Sequence, residues 1–415
     1  MSNFGKQLYI IRKHKNLTLR ELEKLSGIKF VRIGRFENNM EKPTLENISK
    51  LESALKVKFE DYEKVTREIE ALYRKFIDSL IYDMSDFDYY IEVIKKNEEI
   101  YIVNSFYSLI ILIMYIINIH KNNLFDIKKI EKELDRLLEP KSDYLQLYYD
   151  YKGIRLYKQG QKDEAADLLA SAITLANNPK QNAMIYYHLS MVNLSRNKYI
   201  EALKFAELAK NGFVEFASFR RILYTDGQIG SIYSQMQRFD LAIDKYITCL
   251  ESNKILDTSL DIKALILRNL SWIYIKSGNY TEPLSYLAEA EKLDSENVNL
   301  KMYKIWCNYK LGKYNTARNL IEQYRNLNDL KSHKKRFQLF SGLVYNADTM
   351  PTLALIRSAI EVYEEFAMNR DHELMNFYID IVIDLLKQRD DDKRLIQYLE
   401  TKIKINNEIN QQRNY

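Results

Sequence analysis

Arg32 and Arg35 lie three residues apart in the basic stretch Lys29-Phe30-Val31-Arg32-Ile33-Gly34-Arg35-Phe36. A guanidinium carries parallel N–H donors in a fixed fork, so it suits paired planar acceptors such as a carboxylate or the N7/O6 edge of guanine. Read as a short helix from Phe30 to Asn38, the stretch turns Ile33 and Phe36 inward and leaves Lys29, Arg32 and Arg35 outward. Catalytic chemistry is harder to find. The five histidines, at 14, 120, 188, 333 and 372, form no helix-spaced metal pair, and no cysteine cluster accompanies them. Phosphate-binding loops, dinucleotide fingerprints and nucleophile elbows are absent. Asp390-Asp391-Asp392 stands at a helix start, where capping and the helix dipole account for it. The sequence points to a binding protein with no catalytic residue, no metal and no cofactor.

The elements around those arginines are short. A helix from about Phe4 to Lys15 puts Phe4, Leu8 and Ile11 on one face. Thr18-Leu19-Arg20-Glu21 has the form of a capping box, in which the Thr18 hydroxyl caps the Glu21 amide and the Glu21 carboxylate reaches back. The helix it opens runs to about Leu25, and Ser26-Gly27-Ile28 turns, with Gly27 supplying the left-handed backbone. After the basic helix, Thr44 opens a fourth helix that turns Ile48, Leu51 and Leu55 inward, and Val57 and Phe59 close the small core.

The remainder is expected to be helical. Glycine (11) and proline (5) among 415 residues fall far below the ordinary shares of about 7% and 5%. A net charge of +5 leaves any nucleic-acid contact to a local patch. Cys249 and Cys307 read as core residues of a reducing compartment. The start of the chain lacks the apolar run of a signal peptide, because Lys6, Arg12 and Lys13 interrupt it. Tyr101 to Ile119 is apolar enough to raise a membrane question, but Asn104, Ser105, Ser108 and Asn118 dilute it. It reads as a buried helix of a cytoplasmic protein without a membrane contact.

Helices near 62–84, 86–97, 100–119 and 124–138 follow the N-terminal segment, and Pro140 marks a break. Small residues then recur at intervals of 12 and 7: Gly153, Ala165, Ala172; Ser190, Ala202, Ala209; Gly230, Ala242, Cys249. Ser271, Pro283 and Ala290 repeat the interval, Ile305, Ala317 and Tyr324 keep it with larger residues, and Gly342 and Ala354 keep its first step. Two helices of a hairpin that cross closely need small side chains at such places. Aromatics mark the start of the second helices at Tyr199, Phe239, Tyr280 and Tyr314. Helices near 372–388 and 391–406 are expected to cap the end.

The string LTLRELEKLSGIKFVRIGRFENNMEKPTLENISKLESAL resembles the Xre-type, lambda-repressor-like helix-turn-helix, with departures at Asn39 and Lys56, where that family usually carries glycine. The resemblance implies that Thr18 and Arg20 meet DNA phosphate and that Lys29, Phe30, Val31, Arg32, Arg35 and Asn38 serve the major groove. The 12-and-7 spacing resembles the tetratricopeptide repeat. Together these imply an all-α protein, a helix-turn-helix domain (1–65), a linker helix (66–85) and a right-handed superhelix for peptide sensing and dimerisation (86–410). The first helix of each pair would line a concave groove. Counting from the crossing residues places Asp150, Tyr187, Gln228, Ser231, Gln235, Arg268, Asn269, Trp272, Lys276, Tyr303 and Trp306 there. Arg268 and Asn269 suit a peptide carboxylate and a backbone amide.

The combination resembles the Rap/Rgg/NprR/PlcR/PrgX group of peptide-responsive regulators. That resemblance implies double-stranded operator DNA and a short signalling peptide as partners, and a homodimer or tetramer as the working assembly. The alternative is a repeat scaffold, or a Rap-like modulator, that sequesters a response regulator or another protein.

Overall fold

Side-chain oxygens start several of the helices. Thr18, Thr44, Ser142 and Thr352 each accept the backbone N–H three residues on, which satisfies a donor that the helix itself cannot. In the computed structural model, the described residues are 4–59, 63–82, 86–104, 106–138, 142–175, 178–256, 260–325 and 333–411. They form 22 helices and no strand, so the chain is all-α. Two compact units result, Met1–Ile185 and Tyr186–Tyr415.

The first unit opens with α1 (Phe4–His14), α2 (Leu19–Ser26), α3 (Phe30–Glu37) and α4 (Leu45–Leu55). Leu8, Ile11, Leu22, Ile28, Ile33, Phe36, Leu51 and Leu55 make their core; Leu22 and Ile28 join the residues expected from the spacing, while Phe4, Ile48, Val57 and Phe59 are only partly buried. Both expected departures adopt the left-handed backbone of the missing glycines, Asn39 at φ 56° and Lys56 at φ 53°. Next come α5 (Glu63–Tyr82), α6 (Phe87–Tyr101), α7 (Tyr107–His120) and α8 (Ile127–Leu137). Residues 62, 83–85 and Pro140 lie outside the described residues.

The apolar stretch expected as one helix over 100–119 is divided. The Asn104 amide donates to Thr66 Oγ1 at 3.0 Å while its carbonyl accepts the Phe106 N–H at 2.9 Å, an Asx-type bond that competes with the helical ladder. Beyond it α7 is buried nearly all round, and no described helix is long and apolar enough to cross a membrane.

Helical hairpins follow: α9 (Asp143–Lys158) with α10 (Lys162–Leu175), α11 (Pro179–Ser195) with α12 (Tyr199–Glu215), and α13 (Phe219–Gln235) with α14 (Phe239–Leu256). The series continues with α15 (Leu260–Lys276), α16 (Pro283–Leu293), α17 (Val298–Lys310), α18 (Tyr314–Tyr324), α19 (Lys334–Tyr345), α20 (Leu353–Met368), α21 (His372–Gln388) and α22 (Asp392–Gln411). The 12-residue step is the hairpin crossing itself. Ser190 Oγ donates to the Ala202 carbonyl at 2.7 Å, and a Cβ added at Gly153 would lie 3.4 Å from the Ala165 carbonyl and 2.7 Å from Leu169. Ala165, Ala172, Ala202, Ala209, Ala242, Ala290 and Ala317 are fully buried. Burial also raises the Cys249 and Cys307 thiols to about 12, so both act as inert apolar fillers.

Each of these turns uses a left-handed residue five places before the second helix's first small residue: Gly160, Asn197, Gln237, Gly278 and Gly312. The register then slips. Ala354 is exposed, and Leu355 takes the crossing place opposite Gly342. The α19–α20 connection has no such left-handed residue at 349, which accounts for the one-residue shift.

In the second unit the last hairpin does more than cap. The Asn197 amide donates to the Arg370 carbonyl at 3.1 Å, the Tyr199 hydroxyl meets His372 Nδ1 at 3.3 Å, and the Gln237 amide donates to Asn406 at 3.2 Å. The array therefore closes on itself, from the α11–α12 turn to the α20–α21 turn.

A Cβ at Gly230 would lie 2.7 Å from the fully buried Tyr246 ring. Gly230→Ala is expected to lower unfolding free energy by about 1–3 kcal/mol through overpacking. Urea unfolding followed by circular dichroism measures this, and an unchanged or raised midpoint would refute the crossing geometry.

Candidate functional site

The first candidate surface is α3 and the helix before it. The capping box at α2 is complete: the Glu21 N–H donates to Thr18 Oγ1 at 3.2 Å, and Thr18 N–H donates to the Glu21 carboxylate at 2.7 Å. These bonds from Thr18 hold the Glu21 carboxyl below its ordinary range. Gly27, at φ 71°, ends α2 and lets α3 start at once. Along α3, Lys29, Phe30, Val31, Arg32 and Arg35 are exposed, and Arg20 on α2 sits 5.6 Å from the Phe30 ring.

These cations are not equivalent. The Arg32 guanidinium donates to Glu41 at 2.6 Å, whereas the Arg35 side chain makes no hydrogen bond or ion pair among the described residues. Asn38 is engaged at both ends: its amide donates to the Gly34 carbonyl at 2.8 Å and its oxygen accepts Arg136 of α8 at 3.0 Å.

Behind the surface, Arg12 forks onto Glu37 at 2.5 and 2.8 Å and donates from its third nitrogen, Nη1, to the Leu17 carbonyl at 2.7 Å. Both side chains are almost wholly buried. The pair ties α1 to the end of α3 and so fixes the angle at which α3 is presented. Arg136 extends the network, lying 3.8 Å from Glu37 and 3.6 Å over the Tyr9 ring. Tyr9 and Ile10 of α1 pack with Ile102 and Leu137 in an apolar seam within the first unit.

The second candidate surface is the inner face of α11, α13, α15 and α17. Asp150, on α9, is buried. Tyr187, Gln228, Ser231 and Asn269 line a pocket of about 220 Å³ with Leu223, Leu265 and Tyr246. Within it Gln228 donates to Ser190 at 2.8 Å, while Ser231 and Asn269 reach the Tyr246 hydroxyl at 2.7 and 3.1 Å. Arg268 is half-buried, lines neither this pocket nor the larger one below, and makes no hydrogen bond or ion pair among the described residues. The structure thus separates the expected Arg268–Asn269 pair, with only Asn269 in the pocket.

Gln235, Lys276 and Trp306 line a larger cavity of about 540 Å³. Trp272 stacks on Tyr303 at 4.9 Å and 14°. Phe377 of α21 meets Trp272 at 4.9 Å and Trp306 at 5.2 Å, edge to face in both cases. Glu373, one turn earlier on α21, accepts the Trp272 indole N–H at 2.7 Å, the Gln235 amide at 2.7 Å and the Lys276 ammonium. Sequence reasoning selected the groove donors but not Glu373 or Phe377. They stand on the hairpin expected to cap the array, far along the chain from their partners: Glu373 is 138 residues from Gln235 and 101 from Trp272, and Phe377 packs on Trp272 and Trp306.

Residues 8–62 match the HTH_3 helix-turn-helix family. No curated protein matches the chain. Among solved structures, the chain is similar to a Rap protein complexed with competence and sporulation factor: 14% identity, TM-score 0.66, covering 84% of this chain and 99% of that one. It is similar to the apo form of the quorum sensor NprR from B. thuringiensis: 15% identity, TM-score 0.61, covering 82% and 99%. NprR in complex with its cognate peptide NprX matches at 17% identity and TM-score 0.50, covering 81% and 99%. At these identities the likeness is one of fold.

Removing one member of the Arg12–Glu37 pair leaves the other buried and uncompensated. Arg12→Met is expected to cost about 3–5 kcal/mol, and Arg12→Met with Glu37→Leu much less. Thermal unfolding of the two variants tests this; equal losses would show that the pair is not coupled.

Proposed function

We propose that this chain, which joins a helix-turn-helix domain to the repeat fold of Rap and NprR, is a transcription regulator controlled by a short signalling peptide. The observation that carries the reading is the joining of two surfaces in one chain. One is an exposed basic helix, α3, held rigid from behind by a buried ion pair. The other is a pocketed inner face of a helical repeat. The crystallised relatives support the second half, since Rap is complexed with competence and sporulation factor and NprR with its cognate peptide.

In this reading α3 enters the major groove. Arg35, whose side chain is uncommitted, takes a guanine edge, and Phe30 and Val31 supply apolar contact to thymine methyls. Arg32 joins only by exchanging Glu41 for DNA. Lys29 faces the same groove, and Thr18 and Arg20, at the N-terminus of α2, meet phosphate. Asn38 fixes the end of α3 against Arg136. One such domain covers a half-site, so the protein works as a homodimer or higher assembly on a two-fold operator. A cytoplasmic setting follows from that role. The peptide lies along α11, α13, α15 and α17, touching Tyr187, Gln228, Gln235, Asn269, Trp272, Lys276, Tyr303 and Trp306, with Arg268 at the margin. Binding changes DNA affinity only insofar as the peptide prefers one arrangement of the protein.

The Rap likeness also supports a second reading, in which the repeat face sequesters another protein. The basic helix favours the first, because sequestration needs no DNA-reading surface.

Arg35→Ala is expected to weaken operator binding about 5- to 150-fold and to relax specificity at one base pair, with Arg32→Ala weaker in effect. A pool of random duplexes supplies the operator, and fluorescence anisotropy measures the affinity. Unchanged affinity in both variants would reject α3 as the reading helix. For the sensor half, calorimetric titration with short peptides encoded beside the gene should give saturable binding that Trp272→Ala or Asn269→Ala removes. A protein that binds DNA but none of these peptides would favour the sequestering reading.

A further inference from the structure

Glu373 is a single carboxylate with three side-chain donors from two other helices converging on it. Gln235 comes from α13, Trp272 and Lys276 from α15, and the carboxylate from α21, 97 to 138 residues further along the chain. Lys276 also donates to Ser234, and its side chain is 8% exposed. Phe377, one helical turn beyond Glu373, fills the gap between the two tryptophans. The cavity of about 540 Å³ lies directly against this cluster, lined by Gln235, Lys276, Trp306, Glu373 and Phe377 among others. Trp306 is only 6% exposed, and its indole N–H has no acceptor among the described residues. A buried donor at a cavity wall is complementary to a carbonyl or carboxylate that enters from outside.

We infer that Glu373 and Phe377 occupy, from within the chain, a binding site for a peptide segment carrying a carboxylate and a large apolar side chain. Lys276, Trp272 and Gln235 form the carboxylate subsite. Trp272 and Trp306 form the apolar subsite, roughly 5–6 Å away, the span between side chains one helical turn apart. The inference rests on the peptide-sensing reading and names what that groove selects.

It also moves the carboxylate subsite from the Arg268–Asn269 position to Lys276. A cationic amine with an indole and an amide donor gives a carboxylate charge-assisted bonds that a neutral ligand cannot match. The other polar bonds that close the array, Asn197 to Arg370, Tyr199 to His372 and Gln237 to Asn406, are single contacts that water or a ligand can replace. A peptide bearing both groups therefore competes with α21 for the same donors. When it wins, α21 leaves α13 and α15, and the closed array opens.

The test uses the full-length protein and a synthetic peptide copying residues 371–378, DHELMNFY, beside the same peptide with Gln in place of its Glu. The chain's two tryptophans both lie at the site, so tryptophan emission reports occupancy directly. Glu373→Gln vacates the carboxylate subsite, and it is expected to bind the acidic peptide at least tenfold tighter than wild type does. The Gln peptide should show no such gain. Glu373→Leu with Lys276→Met removes both charges, leaves neither buried alone, and should lose the preference for the acidic peptide.

Wild type provides a readout that needs no variant to fold: at high concentration the acidic peptide should shift its emission and the Gln peptide should not. Equal affinities for the two peptides in wild type and Glu373→Gln, or no emission response in either, would reduce the contact to a structural clasp and overturn the inference. That outcome is distinct from failure of the sensor reading, which is decided by whether peptides encoded beside the gene bind the wild-type protein at all.

Discussion

The repeat array depends on how closely two antiparallel helices can cross. At most of the crossings the backbones approach so closely that Gly, Ala or Ser stands there, and Ser190 bonds directly to the backbone of the opposite helix. Packing density near that of an organic crystal leaves no slack for an extra carbon. From this constraint follow the turn, the register of the second helix and the direction in which the next hairpin stacks. A larger residue at the crossing, as at Pro283 or Ile305, can keep the register, but the register can also slip. Leu355 in place of Ala354 opposite Gly342 is the example, and the α19–α20 pair is the one that departs from the 12-residue step.

A different principle organises the N-terminal helices. Their core holds few large side chains, and its geometry is set by the buried Arg12–Glu37 fork. Such a pair contributes little net stability compared with an apolar replacement, but it specifies one arrangement strongly, because each partner is costly without the other. That specificity holds α3, with its exposed basic face, in one orientation on the first helices. Arg136 and the Tyr9 ring carry the same fixation into α8, so α3 is held by α8 as well as by α1.

Much of this was legible in the sequence. Local rules decide caps and turns, so the Thr18 box and Gly27 could be read from neighbours within four residues, while Asn39 and Lys56 stood out only against the glycines of the family they resemble. Small-residue spacing gave the hairpins from Gly153 to Ala317, because each crossing involves residues only 12 apart. Two kinds of feature stayed hidden. One was local competition, as at Asn104, whose side-chain oxygen takes the Phe106 N–H and interrupts a stretch whose apolar pattern alone favours an unbroken helix. The other was long-range closure: nothing near Glu373 signals that it meets Trp272 and Gln235, since that contact arises only when several small hairpin rotations have accumulated. Arg268 and Asn269 part company for a simpler reason: neighbours on a helix point about 100° apart, so the two do not share a face.

The closure of the second unit bears on how it folds. An open solenoid is a one-dimensional chain in which each repeat touches only its neighbours, so it can fray from an end or lose a terminal unit cheaply. Joining the α11–α12 turn to the α20–α21 turn adds contacts 173 residues apart, and a linear stack becomes a loop. Fraying from the C-terminus then breaks two interfaces instead of one, and the last hairpin becomes a keystone. The unit gains all-or-none character, and inserting or deleting one repeat inside it would spoil the closure even where every local crossing is kept.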